Sequence, residues 1–209
     1  TGPEAVAAIA LRHSVFYAKM GGEQVLESRF WGSQPEVRLA FSMESDNLAQ
    51  AIAFGRHGPP TVHALATVDW AAIHRWYGPY LPALAVVLDT MKRQDIDPRS
   101  RLQLAEAAGD LHIAASQPAE AAACAEECMA LARMLKDGTA LGRAMSSHTD
   151  YRRYELSDEE REAVHEEALV LLRAGGDWRS EVDTLLSLGS IYMGRDDLEG
   201  SLKLAETML

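Results

Sequence analysis

Glu126-Glu127-Cys128-Met129, Glu166-Glu167-Ala168-Leu169 and Glu206-Thr207-Met208-Leu209 are one pattern written three times at a single fixed offset, 126 falling on 166 and then on 206. Each is an acidic pair, reduced to Glu-Thr in the third copy, followed by a smaller and a large apolar residue. The same offset carries Asp137 onto Asp177 and places Leu111, Tyr151 and Ile191 at one equivalent core position. One fixed offset that brings independent features into phase marks a structural repeat. Each unit reads as helix, turn, helix. One such hairpin cannot bury its apolar stripe alone, so neighbours stack, share a continuous core and curve around a concave face.

The rest of the chain supports helices throughout. Ala, Leu, Glu, Arg and Met dominate, and runs that alternate apolar with polar residues are nearly absent. Turn signals stand at Gly21-Gly22, Gly32 to Pro35, Gly58-Pro59-Pro60, Gly78-Pro79, Asp97-Pro98, Gly138 and Gly175-Gly176. They divide the chain into an N-terminal linker or cap over 1–58 and helical hairpins over 59–209. The hairpins run over about 59–97 in degenerate form, then 98–137, 138–177 and an incomplete 178–209. With 209 residues, 47% of them apolar, there is ample material for a core.

Composition narrows the function. A net charge of −11 repels phosphate backbones and anionic lipid head groups, so direct nucleic-acid binding by this segment is not expected. No run reaches the roughly 20 apolar residues that cross a bilayer, and the first residues do not read as a leader. Cys124 and Cys128 sit one turn apart on a helix, where disulfide geometry is seldom met, which suits a reducing, cytoplasmic setting. Their small side chains suit a close helix contact. Thr1 and Leu209 read as the ends of a fragment of a larger protein.

Motifs of catalysis are missing from the sequence. It holds no GxxxxGK[ST] loop, no GxSxG elbow and no HExxH pair. His57, His63 and His74 lack the spacing of three or four positions that puts two ligands on one helical face. The acidic run Asp158-Glu159-Glu160 follows Ser157 and reads as a helix start, where a hydroxyl caps the open amides and negative charge suits the dipole. No catalytic residue, metal site or cofactor is therefore expected.

Leu185, Leu188, Gly189 and Tyr192, with Ser201 in the next helix, resemble the tetratricopeptide (TPR) repeat. Gly109 and Ala121 keep part of that pattern, whereas Ala105, His112, Thr149 and Arg161 depart from it. Upstream, Arg12 and His13 open a helix, and Glu44, Asp46, Asn47, Leu48, Ala51 and Ile52 spell ExDNLxxAI before Gly58. That motif, followed by helical hairpins of this length, resembles the C-terminal helical region of bacterial LuxR/AfsR-type signal-transduction (STAND) ATPase transcriptional regulators. The Trp and Leu usual before the motif are replaced by Val37, Leu39 and Phe41. The resemblance implies an all-α, right-handed TPR-like superhelix (an α-solenoid) that senses a protein or peptide partner or a small inducer. It also implies ATPase and DNA-binding domains elsewhere in a full-length chain. A free-standing TPR scaffold that holds a peptide or partner protein is the alternative, and an all-helical enzyme is a third reading.

In TPR domains the first helix of each hairpin lines the groove, which here implies Gln103, Glu106 and Asp110, then Arg143, Ser146, Asp150 and Arg153, then Asp183, Leu186 and Ser190. Arg143 and Arg153 in the middle unit could pair with a carboxylate on a ligand. The same positions also read as ordinary solvated helix surface. Trp70, Trp76, Tyr77 and Tyr80, around Ile73, form an aromatic cluster that reads either as a contact surface or as core packing.

Overall fold

The computed structural model describes residues 2–19, 39 and 42–206. Among them every regular element is a helix. In chain order these are α1 (Pro3–Ala18), α2 (Ser45–Gly55), α3 (Pro60–Tyr77), α4 (Tyr80–Met91), α5 (Pro98–Ala114), α6 (Pro118–Leu135), α7 (Gly138–Tyr151), α8 (Asp158–Gly175), α9 (Trp178–Gly194) and α10 (Leu198–Glu206). The protein is all-α. The turn signals at Gly21-Gly22 and Gly32 to Pro35, Val37 and Phe41 before the ExDNL motif, and the end of the third pattern copy after Glu206 lie outside the described residues. The chain divides into two compact units, Thr1–Gln117 and Pro118–Leu209. That boundary falls inside the hairpin expected over 98–137.

From Pro98 onward the helices start at 98, 118, 138, 158, 178 and 198, evenly spaced at half the repeat offset. The connectors explain the regularity. Ser116, Lys136, Gly176 and Asp196 all have positive φ. The N–H that follows each one reaches back over the last helical turn: Gln117 to His112 O at 2.8 Å, Asp137 to Ala132 O at 2.9 Å, Asp177 to Leu172 O at 3.1 Å and Asp197 to Tyr192 O at 2.9 Å. This is the Schellman ending, in which one left-handed residue stops a helix and satisfies its last carbonyls. The three aspartates among them then start the next helix. Asp137 Oδ1 accepts from Ala140 N at 2.9 Å, Asp177 Oδ1 from Ser180 N at 3.2 Å and Asp197 Oδ1 from Gly200 N at 2.9 Å. A single aspartate thus closes one helix with its amide and opens the next with its carboxylate.

The exception lies between α7 and α8. Helix α7 is 14 residues long, shorter than its neighbours, and a longer turn over 152–157 makes up the interval. Ser157 ends that turn in the role expected for it. Its Oγ accepts from Glu160 N at 3.2 Å while Glu160 Oε2 accepts from Ser157 N at 2.8 Å, a complete capping box.

In the first unit α1 packs on α2 and α3, α2 on α3, and α3 and α4 both on α5. Enclosed on two sides, α5 buries Leu102, Leu104, Ala105, Ala108 and Leu111. Tyr17, Leu48, Ala51, Ile52, Ala66 and Ile73 form a second cluster, with Trp70 packed against it. The ExDNL motif is therefore structural here: Leu48, Ala51 and Ile52 are core, and Glu44 Oε2 accepts from Tyr17 OH and from Asn47 Nδ2, both at 2.8 Å. Those two bonds, Asn47 first, hold the Glu44 pKa down against its loss of water. Burial, then Glu44, pushes the Tyr17 pKa up to about 12.

In the second unit each helix packs on the next from α6 to α10, and α7 also touches α9. Leu169, Leu185, Leu188 and Ile191 are buried together, with Leu204 against them. Of the three positions brought together by the repeat offset, Leu111 and Ile191 are buried while Tyr151, at the end of the short α7, is half-buried. Gly142 sets the spacing of α7 and α8, because a Cβ there would meet Ala168 O at 3.0 Å and Leu171 Cβ and Leu172 Cγ at 3.1 Å. Overpacking such a contact costs on the order of 1–3 kcal/mol. Gly142→Val is expected to lose about 2 kcal/mol in urea unfolding. An unchanged midpoint would mean that α7 and α8 do not meet at that spacing.

His63 on α3 is buried, and neither ring nitrogen has a hydrogen-bond partner. Burial, then the Arg93 and Arg56 charges, lowers its pKa from the ordinary 6.5 to about 4. A histidine depressed in the fold binds its proton more readily when unfolded, so its contribution is intact above about pH 6.5 and is lost as pH falls toward 4. His63→Leu should remove this part of the pH dependence. Between roughly pH 7.5 and pH 4.5 the parent protein is expected to lose more stability than the variant, and equal losses would contradict the assignment.

Candidate functional site

The residues expected to line a groove fall in both units. In the first unit Gln103, Glu106 and Asp110 are half-buried along one face of α5, at the helical spacing that defines a common stripe. Asp110 Oδ2 lies 2.7 Å from Arg75 Nη1 on α3. Loss of surrounding water raises the Asp110 pKa although Arg75 pulls it the other way. Trp70 is half-buried. It packs on the core, its indole N–H donates to Ser45 Oγ at 3.2 Å, and its ring meets His74 edge-on at 4.2 Å. Tyr80 is half-buried at the start of α4, and the side chains of Trp76 and Tyr77 lie outside the described residues.

In the second unit the two arginines expected to share the groove have different settings. Arg143 on α7 is bound to Asp177, Nη1 to Oδ2 at 3.1 Å, with 21% and 10% of the side chains exposed. Burial alone would raise the Asp177 pKa, but the Ser180 N–H and hydroxyl together with Arg143 hold it below the usual range. Arg153 lies beyond the end of α7, in the turn, with its guanidinium 4.8 Å over the Tyr154 ring. From Arg143 to the end of α7 at Tyr151 the helical rise is about 12 Å, and Arg153 follows in the turn.

Ser146 and Asp150, one turn apart on α7, belong to a ring of polar contacts whose other members the sequence reading did not single out. Thr184 Oγ1 on α9 lies 3.0 Å from Ser146 Oγ, which lies 3.3 Å from Nδ1 of His165 on α8. His165 Nε2 is 3.4 Å from Asp150 Oδ1, and Asp150 Oδ2 accepts from Ser187 Oγ on α9 at 2.8 Å. His165 is completely covered. It falls in the apolar stripe with Ala168, Leu169 and Leu172, and a histidine at such a position is the one sequence signal that could have pointed to it.

The outer face of α9 is open. Asp183, Leu186 and Ser190 are exposed at a spacing that puts them on one side of the helix, and Leu186 is 59% exposed. On α6, Cys128 is buried and Cys124 half-buried. Burial, with Glu127 adding to it, pushes the Cys124 thiol up to about 11, which suits packing and not reactivity. Among the described residues no three His, Cys, Asp or Glu side chains gather as metal ligands do, and no helix is long and apolar enough to cross a membrane.

These features define an all-helical protein whose polar groups chiefly tie helices to one another. No family model matches the chain, and no curated protein matches it. Among solved structures it is similar to the crystal structure of BtubC (BKLC) from P. vanneervenii, with a TM-score of 0.66 and 13% identity over 100% of this chain and 90% of that one. At that identity the likeness is one of fold.

The Arg143–Asp177 pair makes a testable difference between its members. Asp177 also caps α9, so Asp177→Ala removes a cap worth about 1 kcal/mol together with a charge-assisted bond of similar size. Arg143→Met removes the bond to Asp177 and leaves the α9 cap in place. In urea unfolding Asp177→Ala is expected to cost about 2 kcal/mol and Arg143→Met about half that. The reverse order would contradict the double role of Asp177.

Proposed function

We propose that the chain is a non-catalytic, TPR-like sensing region of a bacterial regulatory ATPase, which binds a protein or peptide segment and passes its occupancy to other domains. The observation that carries this reading is the repeated connector. A left-handed residue followed by a helix-capping aspartate recurs at Lys136-Asp137, Gly176-Asp177 and Asp196-Asp197, and with evenly spaced helix starts it makes antiparallel hairpins. Hairpins of that kind stack into a superhelix whose concave side serves for binding. The ExDNL motif supports the family reading, since its residues build the joint between α1, α2 and α3.

The chemistry of the polar ring supports a binding role over an enzymatic one. Serine, histidine and aspartate occur there in contact, but Ser146 sits within α7, where the neighbouring amides are committed to helical hydrogen bonds. Acyl transfer needs free donors aimed at the developing oxyanion. His165 is also sealed from solvent.

With Arg143 bound to Asp177, Leu186 and Ser190 are exposed on the α9 face, beside the partly exposed Asp150. They suit a partner segment with a basic and an apolar side chain. A free-standing scaffold is the second reading.

Binding to the native state raises apparent stability, so a thermal-shift screen against basic, apolar-bearing peptides and small metabolites tests the proposal. A hit that is lost in Leu186→Glu with Asp183→Lys, while the helical circular dichroism is kept, is the expected result. Binding that both substitutions leave untouched would place the site elsewhere.

A further inference from the structure

The polar ring holds an oddity. His165 Nε2 has no solvent contact and no hydrogen-bond partner, yet it points at Asp150 Oδ1 from 3.4 Å. Buried nitrogens are nearly always bonded, so one left short beside a carboxylate marks that carboxylate as part of a site. Nδ1 faces the Ser146 hydroxyl, which can donate to it, so the ring proton belongs on Nε2, toward the negative charge. On the other oxygen Ser187 donates at 2.8 Å.

Ser187 on α9 thus binds Asp150 while the buried His165 ring on α8 faces it, and 35% of the Asp150 side chain remains exposed. A carboxylate offers about four acceptor directions, and the Ser187 bond occupies one of them. What remains includes acceptor capacity on both oxygens of a partly exposed carboxylate. A planar guanidinium fork fits that geometry, because it donates two parallel N–H bonds to both oxygens at once. The arginine of α7, Arg143, is engaged with Asp177 and does not compensate Asp150. Asp183 lies on the same α9 and adds negative charge, and the whole chain carries −11.

We propose that Asp150, bound by Ser187 and faced by the buried His165, is a receptor for an arginine side chain of the partner segment. His165 acts as a positioning residue that does not touch the ligand. The inference rests on the partner-binding reading above and names the group that the partner presents.

Argininamide is the probe, followed by amide NMR shifts against sodium chloride at matched ionic strength. The expected result is a saturable shift of the Asp150, Leu186 and Ser187 amides with argininamide only. Asp150→Asn keeps an acceptor for Ser187 and preserves the fold; it should weaken binding at least about fivefold, the loss expected for one charge-assisted bond. His165→Gln, which restores a donor beside the carboxylate, should retain binding that His165→Leu loses. No saturable shift in the parent protein, or equal binding in Asp150→Asn, would overturn the proposal. Argininamide binding at Asp150 together with failure of every peptide to raise the thermal midpoint would instead overturn the partner reading alone.

Discussion

The second unit depends on how its helices are turned around. A Schellman ending needs one residue in the left-handed region, and Lys136 and Asp196 adopt it without being glycine. The strain is offset because the following aspartate meets two needs at once, its amide ending one helix and its carboxylate starting the next. Such short connectors leave no freedom in where a helix restarts, so antiparallel neighbours follow directly. Where the connector is longer, over 152–157, α7 is shorter and a capping box takes over the start of α8.

This economy shapes where polar chemistry can occur. Asp177 caps α9 and also binds Arg143, so a residue that builds the turn also neutralises a charge on α7. Around Asp150 the outcome is the opposite. Serine and threonine hydroxyls and a sealed histidine tie α7, α8 and α9 together while leaving one carboxylate partly in water. A buried polar network of this sort fixes orientation more than it adds stability.

Much of this was legible in the sequence. Helical content, the turns at Gly58-Pro59-Pro60, Gly78-Pro79, Asp97-Pro98, Gly138 and Gly175-Gly176, and the start at Ser157 all follow from residue types with strong local preferences. The repeat offset was visible because Asp137 and Asp177 recur in kind. Its halving was not, since the intervening connectors read Ser116-Gln117 and Asp196-Asp197, and neither shows a glycine. The site was harder for the same reason that tertiary contacts are hard: Arg143 meets Asp177 from far along the chain, and His165 looks like a core residue until Ser146 and Asp150 are placed beside it.

The claim on which the rest turns is that the aspartate connectors close one helix as they open the next. Amide hydrogen exchange of Asp137 and Asp177 tests it most directly, because their N–H groups reach Ala132 O and Leu172 O. Exchange as slow as that of amides inside α7 and α9 is the result the account predicts. Exchange at the rate of an open loop would contradict it.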